Sequence, residues 1–414
     1  MSIRKREWTT PKGEQKNAWV VDYKDAQGIR RLKTFAKKKE ADAFAAKASI
    51  EVREGVHVAD SATVTVEEAA KLWMASVKAS SLERSSVEDY ERTIRLHITP
   101  FIGALKLTAL NTVRLRAFED ELREAGRSAF MTKRTLTTLG TMLVDAQERG
   151  LVVRNAAREM QSKRGSGANR SEKRQKGRLK IGVDIPTREE ITKLLGVISG
   201  RWRPLFMTAV FTGLRASELR GLRWDDVDLE KRTVHVHQRA DRYDDIGKPK
   251  SISGERTIPV PPLVINALKE WRLACPRRDT GKKDSDGNPV TVLDLVFPNG
   301  AGNVEGLRNI LRRGLHPAWI SAGVSIDTGE VDEKGEPVLE PKYTGLHCLR
   351  HWYASWCINR KADGGLELPP KLVQERMGHS TIAMTMDTYG HLFPRDDDGK
   401  ELEAAADSIF SGNN

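Results

Sequence analysis

The chain has 414 residues, with 69 Lys and Arg against 57 Asp and Glu, a net charge of +12 and a pI near 9.5. That length exceeds one hydrophobic core and predicts two to four domains, and the charge points to a polyanionic partner. No apolar run reaches the ~18 residues of a membrane span, and neither a Gly-x4-Gly-Lys-[Ser/Thr] loop nor a His-Glu-x-x-His pair is present, so neither a cofactor nor a metal is expected.

Residues 1–60 read as a small sheet and one helix. Trp19, Val21 and Tyr23 alternate on one strand face, Asp25-Ala-Gln-Gly28 supplies turn chemistry, and a second strand runs from Ile29 to Phe35. Lys37 to Val52 follows as an Ala-rich helix closed by Gly55. The segment holds 14 basic and 9 acidic residues, and Arg30, Arg31 and Lys33 are candidate contacts for a polyanion. The start, Met1-Ser-Ile-Arg-Lys-Arg, lacks the apolar stretch of a signal peptide.

Residues 61–160 read as all-helical. Thr65-Val-Glu-Glu68 has capping-box spacing and opens a helix with Ala69, Leu72 and Trp73. Val87, Tyr90 and Ile94 recur at helical spacing, as do Leu136, Leu139, Leu143 and Ala146 before Gly150. Such stripes are core, whereas Arg92, Arg95, Lys133 and Arg134 fall on outward faces, able to meet phosphates or only to solvate the helices. Residues 161–183 are a basic linker; within 161–180 there are eight basic residues, Lys173, Arg174 and Lys176 among them, and one acidic. Gly, Ser and charge there argue against a packed core.

Residues 184–414 form the last domain. Thr187-Arg-Glu-Glu190 is a second capping box, Thr233 to His237 and Arg256 to Val260 alternate as strands, and Asp279–Pro289 and Thr328–Pro341 are polar hairpin or loop insertions. The three cysteines, Cys275, Cys348 and Cys357, show no Cys-x-x-Cys spacing, and the last two lie in an apolar helical stretch as buried thiols of a reduced compartment. His235 and His237 share a strand face without a third close ligand.

This last domain carries an ordered polar set. Phe211-Thr-Gly-Leu-Arg215-Ala-Ser-Glu218 is followed by Gly247-Lys248-Pro-Lys250, His347-Cys-Leu-Arg350-His351, Gly378-His379-Ser and Asp387-Thr-Tyr389-Gly. A phosphodiester carries a full negative charge, and the planar fork of Arg matches two of its oxygens at any working pH. His347, three residues from Arg350 on one helix face, is the candidate proton acceptor because imidazole titrates near neutrality. His351 reads as out of phase and structural. A phenol is weak at its free pKa of about 10, so a tyrosine nucleophile needs neighbouring cations. Of the six tyrosines, Tyr389 stands with the set; Tyr23, Tyr90 and Tyr243 lie elsewhere, and Tyr343 and Tyr353 flank the His347 helix.

From about Pro186 to Phe393 these strings, in this order and spacing, resemble the tyrosine recombinases, and specifically the integrases of phages and integrative elements. The resemblance implies a multidomain, mainly α fold with small β-sheets (α+β). Its parts would be a β-β-α-type arm-site DNA-binding domain, a four-helix SAM-like core-binding domain and a mixed α/β catalytic domain. It makes Arg215 and Arg350 the phosphate clamp, His379 a donor to a phosphate oxygen, Glu218 the residue that orients Arg215, and Tyr389 the nucleophile that forms a 3′-phosphotyrosine. The general acid is a hairpin lysine, Lys250, with Lys248 as the alternate, because many relatives carry a second Lys where this chain has Ile252. Neither metal nor ATP is implied. The implied partners are double-stranded attachment sites, a homotetramer on synapsed duplexes formed from free monomers, an excisionase and a host DNA-bending protein. The implied setting is the nucleoid of a bacterial cytoplasm. Type IB topoisomerases, Xer-type resolvases and a DNA-binding regulator without chemistry stay open as alternatives.

Overall fold

The computed structural model describes residues 1–9, 15–25, 28–53, 59, 63–164, 178–249, 251–394 and 406–407. They fall into two compact units, one up to residue 172 and one from residue 173.

The first unit opens with a sheet of three antiparallel strands, Ser2–Thr9, Gln15–Lys24 and Arg30–Phe35, and the helix Lys38–Arg53. The first strand adds to the expected pair. Its charged sequence hides it from period-two reading, since Ile3 alone of its eight residues is not exposed, as suits an edge strand. Val21 and Tyr23 pack on Ala41 and Ala45 of the helix. A separate core serves the helical segment. Its helices are Val66–Ala79, Arg84–Thr93, Thr112–Glu124, Ala129–Glu148 and a short Ala156–Arg164. The second continues through a π turn, Ile94–Ile98, into Thr99–Ile102. Four long helical runs therefore match the expected layout, with a short fifth after them. The Thr65 capping box forms as read, Thr65 accepting from the Glu68 N–H at 3.2 Å and Glu68 from the Thr65 N–H at 2.8 Å.

The second unit packs its helices around one apolar core that includes Phe206, Trp319, Tyr353 and Tyr389. The Thr187 box caps the helix Arg188–Val197. Thr233–Val236 pairs antiparallel with Arg256–Pro259 and with the short Val227–Asp228. The two insertions are hairpins, Arg278–Lys283 with Pro289–Val292 and Ser325–Val331 with Pro337–Pro341. Cys275, Cys348 and Cys357 are free and buried.

Candidate active site

The apolar helix Trp202–Thr212, buried from Pro204 to Val210, stops at Gly213 with φ 61°. A Cβ on Gly213 would lie 2.3 Å from Cδ1 of Tyr353, so both the left-handed turn and the close approach require glycine. The turn delivers Arg215 to the start of the next helix, Ala216–Gly221. Glu218 Oε2 accepts from the Arg215 backbone N–H at 2.8 Å, and its Oε1 from the Arg215 Nη1 at 2.7 Å. Arg215 Nη2 donates to the Gly378 carbonyl at 2.9 Å. The Arg215 side chain keeps 35% exposure and so stays accessible from solvent.

Arg350 comes from the helix His347–Ile358. Its Nη1 donates to the Gly213 carbonyl at 2.6 Å, and its Nη2 donates to the Met377 carbonyl. Burial, and then the neighbouring Arg215 charge, pull its pKa down to about 9, which leaves it cationic at neutral pH.

The third wall is the turn after the helix Pro370–Met377, where Gly378 takes φ 60°. Gln374 Nε2 donates to the His379 carbonyl at 3.0 Å, and His379 Nδ1 meets Thr385 Oγ1 at 2.9 Å. Burial, with the charges of Arg350 and Arg215, lowers the His379 imidazole to about 4.

Tyr389 ends the helix Ile382–Tyr389 and is 2% exposed. Its ring stacks on His379 with centroids 6.2 Å apart. Burial pushes the phenol up to about 12 against the pull of Arg350 and Arg215. The hydroxyl is therefore protonated at rest, and we assign it as donor to His351 Nδ1, 2.8 Å away.

That contact corrects the reading of His351 as out of phase. Residues four apart stack on one helix face, and the His347 and His351 rings meet edge to face at 4.5 Å. His351 takes the phenol, and His347 keeps an exposed ring beside it. Partial burial, then Arg350 and Arg215, hold the His347 imidazole below its ordinary value, and burial with the His347 neighbour brings His351 to about 4.

The sequence reading passed over Arg256. Its side chain is 6% exposed. Nε donates to the Arg376 carbonyl at 2.8 Å and Nη1 to the Gly254 carbonyl at 2.9 Å. Nη1 and Nη2 also reach the two Glu218 oxygens at 3.2 and 2.9 Å. Burial alone would raise the Glu218 carboxyl, but Arg256 and Arg215 overcome it and hold it at about 2. The available signal was register: Arg256 shares a strand face with Ile258, which is fully buried, and an arginine turned inward needs a buried anion. Arg350 adds a third guanidinium within electrostatic reach of that one carboxylate, leaving an excess of positive charge in a partly desolvated pocket. An incoming phosphodiester fits that excess.

Lys250 lies outside the described residues. Lys248 is exposed, and its carbonyl accepts from Arg239 Nε at 3.2 Å. Two other tyrosine hydroxyls are committed elsewhere: Tyr343 donates to Glu190 Oε2 at 2.7 Å, and Arg242 Nη2 donates to the Tyr243 hydroxyl at 2.6 Å. Among the described residues no group of three His, Cys, Asp or Glu is placed to hold a metal.

The candidate phosphate contacts of the first unit divide. Strand alternation puts Arg30 on the open face, 65% exposed and paired with Asp22. The same alternation turns Arg31 and Lys33 toward the helix, Arg31 Nε on Asp25 at 2.8 Å and Lys33 Nζ 4.4 Å from the Phe44 ring. Arg92 and Arg134 both pair with Asp89, and Arg95 and Lys133 are exposed. Lys173, Arg174 and Lys176 lie outside the described residues.

The sequence matches the Phage integrase family over residues 187–395 and the Phage integrase, N-terminal SAM-like domain over residues 65–123. It is 27% identical over 378 residues to a tyrosine recombinase XerC-like protein of Caldanaerobacter subterraneus subsp. tengcongensis, covering 86% of this chain and 87% of that one. It is 28% identical to the prophage integrase IntR of Escherichia coli (strain K12), with 51% of this chain and 48% of that protein covered. With the transposase from transposon Tn916 of Enterococcus faecalis it shares 32% identity over 44% of its length and 40% of the transposase. Among solved structures, the Tn1549 transposon integrase with transposon right end DNA superposes with a TM-score of 0.60 at 20% identity, over 83% of this chain and all of that one. A lambda integrase dimer on a COC′ core site gives 0.52 at 16% identity, over 95% of each chain. At these identities the structural likeness is one of fold.

Proposed function

With the family match spanning half of its length, the chain belongs to the phage integrase family of tyrosine recombinases, and we propose that it cuts and rejoins DNA at specific sites to integrate, and in reverse excise, a mobile element. One observation carries the reading: the Tyr389 hydroxyl lies in the same pocket as Arg215, Arg350, His347, His351 and His379 of its own chain.

In this reading that pocket and a hairpin lysine share the chemistry. Arg215 and Arg350 hold the scissile phosphate, and His379 donates to one of its oxygens. Tyr389 Oη attacks phosphorus; a P–O bond to the tyrosine forms as the bond to the 5′ oxygen breaks. The phenolic proton passes to His351, its acceptor at rest, with His347 in edge-to-face contact as the alternate acceptor, and the leaving 5′ oxygen takes a proton from Lys250, or from Lys248. The 3′-phosphotyrosine conserves the bond energy, so a 5′ hydroxyl of a partner duplex reverses the step without ATP. Excess positive charge in the pocket stabilises the charge that gathers on the equatorial oxygens.

In this reading residues 1–60 bind arm sites, 61–160 the core site, 161–183 tether the two, and 184–414 do the chemistry. Double-stranded DNA is the substrate, in the nucleoid of a bacterial host. Four protomers on two synapsed duplexes perform the exchange, with an excisionase and a DNA-bending protein setting direction.

The test is covalent capture. Nicked duplexes with randomised arms are incubated with the full chain, denatured, and the DNA left on protein is sequenced. The wild type should give adducts converging on one sequence, and Tyr389→Phe should bind that sequence and give none. Adducts from Tyr389→Phe, or none from the wild type, would overturn the assignment; supercoil relaxation without recombinants would move it to a topoisomerase.

A further inference from the structure

No step above uses Arg256, although it is the most heavily bonded side chain of the site. An arginine has five N–H donors. Arg256 uses four, on Glu218 twice and on the Arg376 and Gly254 carbonyls. Among the described residues Arg215 gives two of its side-chain donors to protein, one to Glu218 and one to Gly378, and keeps 35% of the side chain exposed. The two guanidiniums therefore divide the labour, Arg256 bonded to protein and Arg215 open to an anion.

Glu218 is the shared piece. It is 3% exposed, and each of its oxygens accepts from both Arg256 and Arg215. Without Arg256 the buried carboxylate would draw Arg215 wholly onto itself or take up a proton, and either outcome shifts the Arg215 fork. Arg256 also reaches the opposite wall: its Nη1 lies 2.8 Å from where a Cβ on Gly378 would stand, and Gly378 both accepts from Arg215 and precedes His379.

We propose that Arg256 is a positioning residue for strand cleavage, which acts through Glu218 and the Arg376–Gly378 backbone to aim Arg215 and His379 at the scissile phosphate. The inference rests on the recombinase reading. Arg256 does not touch DNA in it; its effect passes entirely through the charge clamp.

The test replaces the charge that the clamp must neutralise. The captured duplex is made with a phosphodiester or an uncharged methylphosphonate at the scissile position, and single-turnover adduct formation is measured for the wild type, Arg256→Lys and Arg256→Gln. On the phosphodiester, Arg256→Gln should fall about 10²-fold, the cost of a misplaced catalytic group, with Arg256→Lys between. On the methylphosphonate the gap should shrink below about tenfold, because no charge remains for a misaimed Arg215 to meet. Arg256→Gln added to Glu218→Gln should cost little more than Glu218→Gln alone. If Arg256→Gln does not fold, Arg256→Lys, which keeps the charge and loses the fork, carries the same comparison. An equal defect on both substrates, or no defect on the phosphodiester, would overturn the proposal. A wild type that forms no adduct would instead overturn the recombinase reading beneath it.

Discussion

The residue that decides the chemistry rests in its less reactive form. Tyr389 is buried, its phenol pushed up to about 12, and its hydroxyl tied to His351. Charge from Arg350 and Arg215 opposes that rise, so the same pocket that shelters the phenol also holds the cations that favour phenolate. Among the described residues His351→Ala removes the only side chain hydrogen-bonded to the hydroxyl. Adduct formation should fall about tenfold, as expected for one net hydrogen bond, and His351→Gln should restore part of it; a wild-type rate in His351→Ala would remove His351 from the step. The imidazoles also make a pH prediction. His351 and His379 are lowered from 6.5 to about 4 on folding, so the unfolded chain binds protons first. Their contribution is complete above pH 6.5 and is lost as pH falls toward 4. Glu218, lowered from 4.5 to about 2, adds a second loss between those values. Denaturation midpoints followed from pH 7 to 3 should decline across the first window, and this decline should be smaller in His379→Asn.

Secondary-structure elements place these residues by how they end. Gly213 and Gly378 both stop helices in the left-handed region, and the carbonyls around them accept from Arg350 and Arg215. Gly378→Ala would strain the backbone and set a methyl group against Arg256. It should cost more than the about 1–2 kcal/mol of a side chain held in the left-handed region and should slow adduct formation more than it lowers the melting midpoint. Helix starts are more tolerant. Thr187→Ala removes the Oγ1 that accepts from the Glu190 N–H, leaves Glu190 Oε2 on the Thr187 N–H, and should cost about 1 kcal/mol of stability with the cleavage rate unchanged. A rate loss there would mean that the Arg188–Val197 helix does more than pack.

On the scale of the molecule, net charge of +12 predicts binding dominated by counterion release. The logarithm of the association constant should fall by about 0.9 for each phosphate neutralised per logarithm of salt, and a flat response would argue against a clamp of lysines and arginines. Reversing Arg30 to Glu should reduce that slope, because Arg30 faces outward, whereas Lys33→Glu acts against the ring of Phe44 and should destabilise its small domain instead.

The sequence by itself determined much of what is local or periodic: both capping boxes, the glycine stops, the buried stripes, two strands of the catalytic unit, and the ordered Arg, His, Arg, His and Tyr strings. Those features depend on neighbours within a few positions, where helix and strand geometry dictate who faces whom. Tertiary structure alone decided which imidazole meets Tyr389 and which arginine underlies Arg215. His351 and Arg256 owe their places to contacts 38 residues apart, and no spacing rule reports which of several polar side chains a folded core will bring within hydrogen-bond distance. The first strand escaped notice for a related reason, since an exposed charged edge is held by the backbone of its neighbour and leaves no apolar signature of its own.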